Sequence, residues 1–207
     1  MPTAADLIAV SPVIPVVVVD ELAQAVPVAR ALAAGGIPVV ELTLRTPVAL
    51  DAIRAIAAEV PEVTIGAGTV TSPDAAKRAL DAGAQFLVSP GCTPSLLAAM
   101  QETGLPFLPG TATVSDALAV LEAGQREMKF FPAEASGGVA YLSALPTVLP
   151  DAVFCPTGGI RPDTAAAYLA LPNVACVGGS WLTPAAALAA GDWARVTELA
   201  AAAAALG

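Results

Sequence analysis

One unit repeats along the whole chain: a short apolar run of strand character, then a longer Ala- and Leu-rich run of helical character. Strand-like runs fall near residues 14–19, 39–44, 63–66, 86–89, 107–109, 127–131, 153–156 and 174–178. Between them lie helical stretches at 22–34, 48–59, 73–81, 94–102, 114–122, 138–148 and 161–169, with a last helix at 193–206. A short helix at 4–10 precedes the first strand. Eight such units, about 26 residues each, predict one α/β domain over the whole chain, a compact (β/α)8 TIM barrel. An open doubly wound sheet alternates in the same way. The strand ends favour the barrel, because Glu41-Leu42-Thr43-Leu44-Arg45, Gly66-Ala67-Gly68-Thr69, Ser89-Pro90-Gly91, Pro109-Gly110-Thr111, Thr157-Gly158-Gly159 and Gly178-Gly179-Ser180 all close on Gly or polar residues. In a barrel those ends gather around one mouth, where active sites sit.

The most useful compositional fact is that the chain has no histidine, and lysine occurs only at Lys77 and Lys129. Ser-His-Asp and Cys-His catalysis are excluded, as are histidine-rich metal sites. Chemistry must come from carboxylates, hydroxyls, arginines or one of two lysines, and no metal is expected. A net charge of −9 argues against nucleic acid, which needs a basic footprint. It leaves room for a small phosphorylated ligand held by backbone amides. Although 56% of the residues are apolar, the longest apolar runs, 13–19 and 199–206, fall far below the roughly 20 residues that span a bilayer. Residues 1–10 carry Asp6 and lack the basic start and long apolar segment of a signal peptide, so a soluble cytoplasmic protein is expected. Cys92, Cys155 and Cys176 have no CxxC spacing and read as small apolar core residues.

Lys129 lies in the sixth strand-like run, where side chains alternate between faces. Glu127, Lys129 and Phe131 share one face and Met128 and Phe130 the other, which sends the Lys129 amine inward. An amine buried among apolar groups is disfavoured as the ammonium and becomes available as a nucleophile. Position alone serves equally well a lysine whose stem packs while its head reaches solvent. In the second strand-like run, Val40, Leu42 and Leu44 form an apolar outer face and leave Glu41, Thr43 and Arg45 on the inner one. Glu41 could be a structural ion pair with Arg45 or Lys129. It could equally be the proton carrier that a Schiff-base lysine requires. With no histidine, one amine and one carboxylate form a minimal set for that chemistry.

The phosphate signals are two glycine loops, Thr157-Gly158-Gly159-Ile160 and Gly178-Gly179-Ser180. In barrels the loops after the last two strands commonly bind phosphate through backbone N–H groups. Either loop alone is as readily a tight turn; together, at these two strands, they favour phosphate. Arg161 either adds charge there or is a solvated residue at a helix start. Gly66-Ala67-Gly68-Thr69 could cradle a carboxylate.

The segments Gly36-Ile37-Pro38-Val39-Val40-Glu41-Leu42-Thr43-Leu44-Arg45 and Lys129-Phe130-Phe131-Pro132-Ala133-Glu134 are long and specific. The chain resembles the 2-keto-3-deoxy-6-phosphogluconate (KDPG) and 4-hydroxy-2-oxoglutarate (KHG) aldolases in both. Gly66-Ala67-Gly68-Thr69-Val70, Ser89-Pro90-Gly91, Cys155-Pro156-Thr157-Gly158-Gly159-Ile160 and Gly178-Gly179-Ser180-Trp181-Leu182 match in the same order. The resemblance implies a class I, Schiff-base aldolase of the Entner–Doudoroff pathway, a homotrimer with no metal or organic cofactor. By position, Lys129 would form the imine and Glu41 would be the acid/base. Arg45, Thr69 and Pro90 would surround the pyruvate-derived carboxylate, and Phe131 would wall the imine. Thr157, Gly158, Gly159, Gly179 and Ser180 would receive the phosphorylated end. Some relatives carry an arginine just before the first strand, where this chain has Ser11-Pro12-Val13, which leaves substrate breadth open. The alternatives are the same chemistry on the galactonate epimer or on KHG, and a phosphosugar-binding barrel without turnover.

Overall fold

The computed structural model describes residues 3–207. Its first element, α1 (Ala4–Ala9), starts at a capping box in which Thr3 and Asp6 satisfy each other's backbone N–H groups. Then follow β1 (Val13–Val17), α2 (Ala25–Ala34), β2 (Val39–Thr43), α3 (Ala49–Glu59), β3 (Thr64–Gly68), α4 (Pro73–Asp81) and β4 (Leu87–Val88). Next come α5 (Pro94–Glu102), β5 (Phe107–Leu108), β6 (Gly110–Thr111), α6 (Val114–Glu122), β7 (Glu127–Phe130), α7 (Gly138–Ala144) and β8 (Val153–Pro156). The chain finishes with α8 (Pro162–Leu169), β9 (Val177–Gly179), α9 (Ala185–Ala190) and α10 (Trp193–Ala204). Helix starts follow the local chemistry: Ser72, Thr93 and Thr113 cap α4, α5 and α6 by accepting a bond from the N3 amide.

All strand pairs are parallel, so the C-terminal ends lie on one side. Every residue of β1 and of β2 is buried, as expected of parallel strands covered by helices. The expectation of a closed eight-stranded (β/α)8 TIM barrel is corrected. The strands form a curled six-stranded sheet, β5-β4-β3-β2-β1-β9, and a separate three-stranded sheet, β6-β7-β8. One break falls at Pro109, which has no N–H to give a ladder and separates β5 from β6. On the other side the last strands meet only through single bridges, Phe154 of β8 to Val174 ahead of β9 and Thr157, just past β8, to Gly178 of β9. The fold is therefore an α/β half-barrel with a small companion sheet.

One boundary also shifts and one helix is added. The last strand begins at Val177, not 174, and a short helix, α9, precedes the last one. The Ala-rich tail has a packing role: α10 crosses α2 so closely that a Cβ on Gly35 would sit 2.6 Å from the Thr197 carbonyl. Thr197 adds a hydroxyl bond to the Ala31 carbonyl at 3.0 Å. Among the described residues, no helix is long and apolar enough to cross a membrane.

Candidate active site

The two sheets bring together side chains far apart in sequence. Lys129 on β7 and Glu41 on β2 are each 3% exposed, and Lys129 Nζ donates to Glu41 Oε1 at 3.1 Å. The neighbours on β7, Met128 and Phe130, are buried on the opposite face, as the alternation requires. Of the two partners that the sequence offers Glu41, the carboxylate takes Lys129. Desolvating two charges costs more than their attraction commonly returns, so such a pair is a poor device for stability alone. Two features hold it in place. Gly68 on β3 has no side chain where the carboxylate lies; a Cβ there would come within 2.8 Å of Glu41 Cδ. The Phe131 ring lies 5.4 Å from Nζ, within cation–π range.

Arg45 is not on the inner face of a strand. β2 ends at Thr43, and Arg45 is exposed in the turn that follows, at the mouth. Its Nε donates to Thr69 Oγ1 at 3.0 Å. Thr69 has a positive φ of 57°, unusual for a β-branched residue, which aims its hydroxyl at that guanidinium. Thr43 stays inside and bonds the Val17 carbonyl.

A cleft of about 110 Å³ opens at Arg45; Lys129, Glu41 and Thr69 do not line it, but the Phe131 ring that lies 5.4 Å from Lys129 Nζ does. Arg45, Phe131, Thr157, Gly158, Gly159 and Ser180 line it, together with Ile160 and Gly178 from the same two glycine loops and Val16, which the sequence did not single out. Val16 sits in a strand apolar on both faces, so alternation carried no signal for it. Gly158 and Gly159 have φ of 102° and 82°, conformations that an L side chain rarely adopts. Gly179 does not border the cleft; the Trp181 ring packs against it within 2.7 Å of where its Cβ would be. Pro90 is half-buried after β4, and its backbone packs against Gly110 outside the cleft. Arg161 also lies outside it, paired through Nε and Nη2 with Asp163 at 3.1 Å each. Larger hollows of about 470 and 490 Å³ lie over α4–α5 and α5–α6 and are lined by neither Lys129 nor Glu41, so size does not locate the chemistry.

Two of the three thiols, Cys176 and Cys92, are poor nucleophiles here. A hydrogen bond with Cys155, then burial, then the charges of Cys155 and Glu41 hold the Cys176 thiol well above its usual range. Burial, partly offset by a bond with Ser89, pushes Cys92 up to about 11. Lys77 is exposed on α4 and paired with Asp81 at 2.9 Å. Among the described residues, no three His, Cys, Asp or Glu side chains are grouped so as to hold a metal ion.

An α/β half-barrel that buries one amine against one carboxylate beside a glycine-lined cleft is the architecture of an aldolase, a carbon–carbon lyase. The chain belongs to the KDPG and KHG aldolase family, whose model matches residues 5–199. It is 52% identical over 198 residues to the KHG/KDPG aldolase of Escherichia coli K12, covering 96% of this chain and 93% of that one. Its fold superposes with a TM-score of 0.96 on the KDPG aldolase of Legionella pneumophila, which was captured with pyruvate as a covalent carbinolamine. That match has 47% identity and covers 98% of both chains. The KDPG aldolase of Zymomonas mobilis ZM4 with 3-phosphoglycerate matches at a TM-score of 0.93 and 43% identity, over 99% of this chain and 96% of that one.

Proposed function

We propose that this chain cleaves KDPG to pyruvate and glyceraldehyde 3-phosphate through an imine on Lys129. The observation that carries the reading is the buried Lys129–Glu41 pair at 3.1 Å. An amine must lose a proton before it attacks a ketone, and the nearest acceptor is the carboxylate already bonded to it. Attack of Nζ on C2 gives a carbinolamine. Glu41, as general acid, returns the proton so that the hydroxyl leaves as water and an iminium remains. The iminium draws the electrons of the C3–C4 bond as that bond breaks. Glu41, directly or through water, takes the proton of the C4 hydroxyl, and the aldehyde departs. The enamine is protonated at C3, and hydrolysis frees pyruvate and the amine. Covalent attachment thus splits one difficult cleavage into easier steps.

Arg45, anchored by Thr69, faces the keto-acid carboxylate in this reading, with Pro90 behind the pyruvate-derived carbons and Phe131 over the imine. The Thr157-Gly158-Gly159 loop, with Ser180, takes the phosphate. The Legionella carbinolamine supports the lysine chemistry, and the Zymomonas complex supports a phosphorylated ligand. KHG is a second substrate, favoured by the double name of the 52% identical Escherichia coli relative. The working unit in this reading is a cytoplasmic homotrimer that needs no metal or organic cofactor.

Pyruvate release, followed by coupling to a lactate dehydrogenase and NADH, tests the reading. Turnover of KDPG that survives exhaustive dialysis against a chelator is the expected result. Binding of KDPG without pyruvate release would make the chain a phosphosugar-binding protein instead.

A further inference from the structure

The two loops at the cleft are clasped together by a contact outside the machinery described so far. The loop after β7 lies over the loop after β8: Ala133 N donates to the Thr157 carbonyl at 2.8 Å, and Glu134 N to the Gly158 carbonyl at 3.1 Å. Glu134 then lays its side chain against Gly159, so closely that a Cβ on that glycine would sit 2.7 Å from Glu134 Cγ. Its carboxylate is held from below. Tyr168, fully buried on α8, donates its hydroxyl to Glu134 Oε1 at 2.6 Å. Burial first, then the bond to Glu134, raises the Tyr168 phenol well above its ordinary value, so it remains a donor throughout the working range. Gly138 leaves room for that hydroxyl, which would lie 2.9 Å from a Cβ there.

Glu134 takes no part in the imine chemistry, and a carboxylate beside a phosphate loop repels a phosphate. Its position makes sense as a mechanical one. A short charge-assisted bond from a buried phenol fixes the Glu134 stem, and the stem is what Gly159 rests on. We infer that the Tyr168–Glu134 bond is a strut that sets the position of Gly158 and Gly159, and with it the affinity for the phosphorylated end of the substrate. Tyr168 and Glu134 are therefore positioning residues. The inference rests on the phosphate reading of this loop.

Steady-state kinetics on KDPG and on its dephosphorylated form, 2-keto-3-deoxygluconate, test it. Tyr168→Phe removes only the donor. It is expected to raise KM for KDPG about tenfold, leaving kcat within about twofold and KM for the dephosphorylated compound unchanged. Glu134→Ala is expected to act in the same way, and Glu134→Gln, which keeps an acceptor, to restore the parent KM. Should Tyr168→Phe fail to fold, the two Glu134 variants carry the comparison. Unchanged KM values, or a parallel rise for both substrates, would overturn the strut. A parent enzyme indifferent to the phosphate would instead overturn the phosphate reading on which the strut depends.

Discussion

Gly68 leaves, on the strand beside β2, the space that the Glu41 carboxylate occupies; a Cβ there would approach Glu41 Cγ to 2.6 Å. The carboxylate reaches Lys129 because this one position lacks a side chain. Gly68→Ala is expected to push Glu41 off the amine and to lower kcat/KM about a hundredfold, the usual result of a misplacement on the order of 1 Å. Overpacking costs about 1–3 kcal/mol, so chemical denaturation should still show a folded protein. Full activity in a folded Gly68→Ala variant would show that the Glu41–Lys129 distance is irrelevant to turnover.

Glu41→Gln keeps the shape and a hydrogen-bond acceptor but removes the proton carrier. The expected fall in kcat is about 10²–10⁴-fold, with KM little changed, because general acid–base catalysis acts in the transition state. Steady-state rates from the coupled pyruvate assay decide the matter. A drop smaller than about tenfold would assign the proton transfers elsewhere.

Ser180 is exposed and lines the same cleft as Gly158 and Gly159. Ser180→Ala removes one donor to a phosphate and should raise KM for KDPG about tenfold, the scale of one hydrogen bond to a charged group. KM for 2-keto-3-deoxygluconate should not move. Equal effects on both compounds would place Ser180 outside any phosphate contact.

Asp116 closes the capping box of α6, accepting from Ala112 N at 3.0 Å and Thr113 N at 2.9 Å. Burial pushes its carboxyl up, but the hydrogen bonds from Ala112 and Thr113 outweigh burial and leave it below the ordinary 3.8. A carboxyl depressed in the folded state stabilises that state above its unfolded pKa, and the gain is lost as pH falls through the folded value. Asp116→Asn should therefore lower the urea midpoint at pH 7, and the gap from the parent should shrink below pH 3.8. A gap of constant size down to about pH 2 would contradict the assignment.

How far the sequence disclosed this site depended on whether a residue obeys a local rule. Alternation put Lys129 and Glu41 on inward faces, because β2 and β7 are regular strands at those positions. The same rule misplaced Arg45, since β2 stops two residues earlier and a turn carries the side chain to the mouth. It could not tell which partner Glu41 would take, because that depends on how the sheets curl. Closure of the ladder fails at Pro109, because counting strand-like runs is blind to a missing N–H within one of them. Gly178 and Gly179 look alike in sequence, yet Gly178 borders the cleft while the Trp181 ring packs against Gly179. The Tyr168–Glu134 bond joins residues 34 positions apart and carried no local signal.

The central claim is that Lys129 forms the covalent link to substrate. Borohydride added with pyruvate, followed by peptide mass spectrometry, tests it most directly, with the exposed Lys77 as an internal control. The account requires a reduced pyruvate adduct on the peptide containing Lys129, and its loss in Lys129→Ala. An adduct on Lys77, or none in an enzyme that still releases pyruvate, would contradict it.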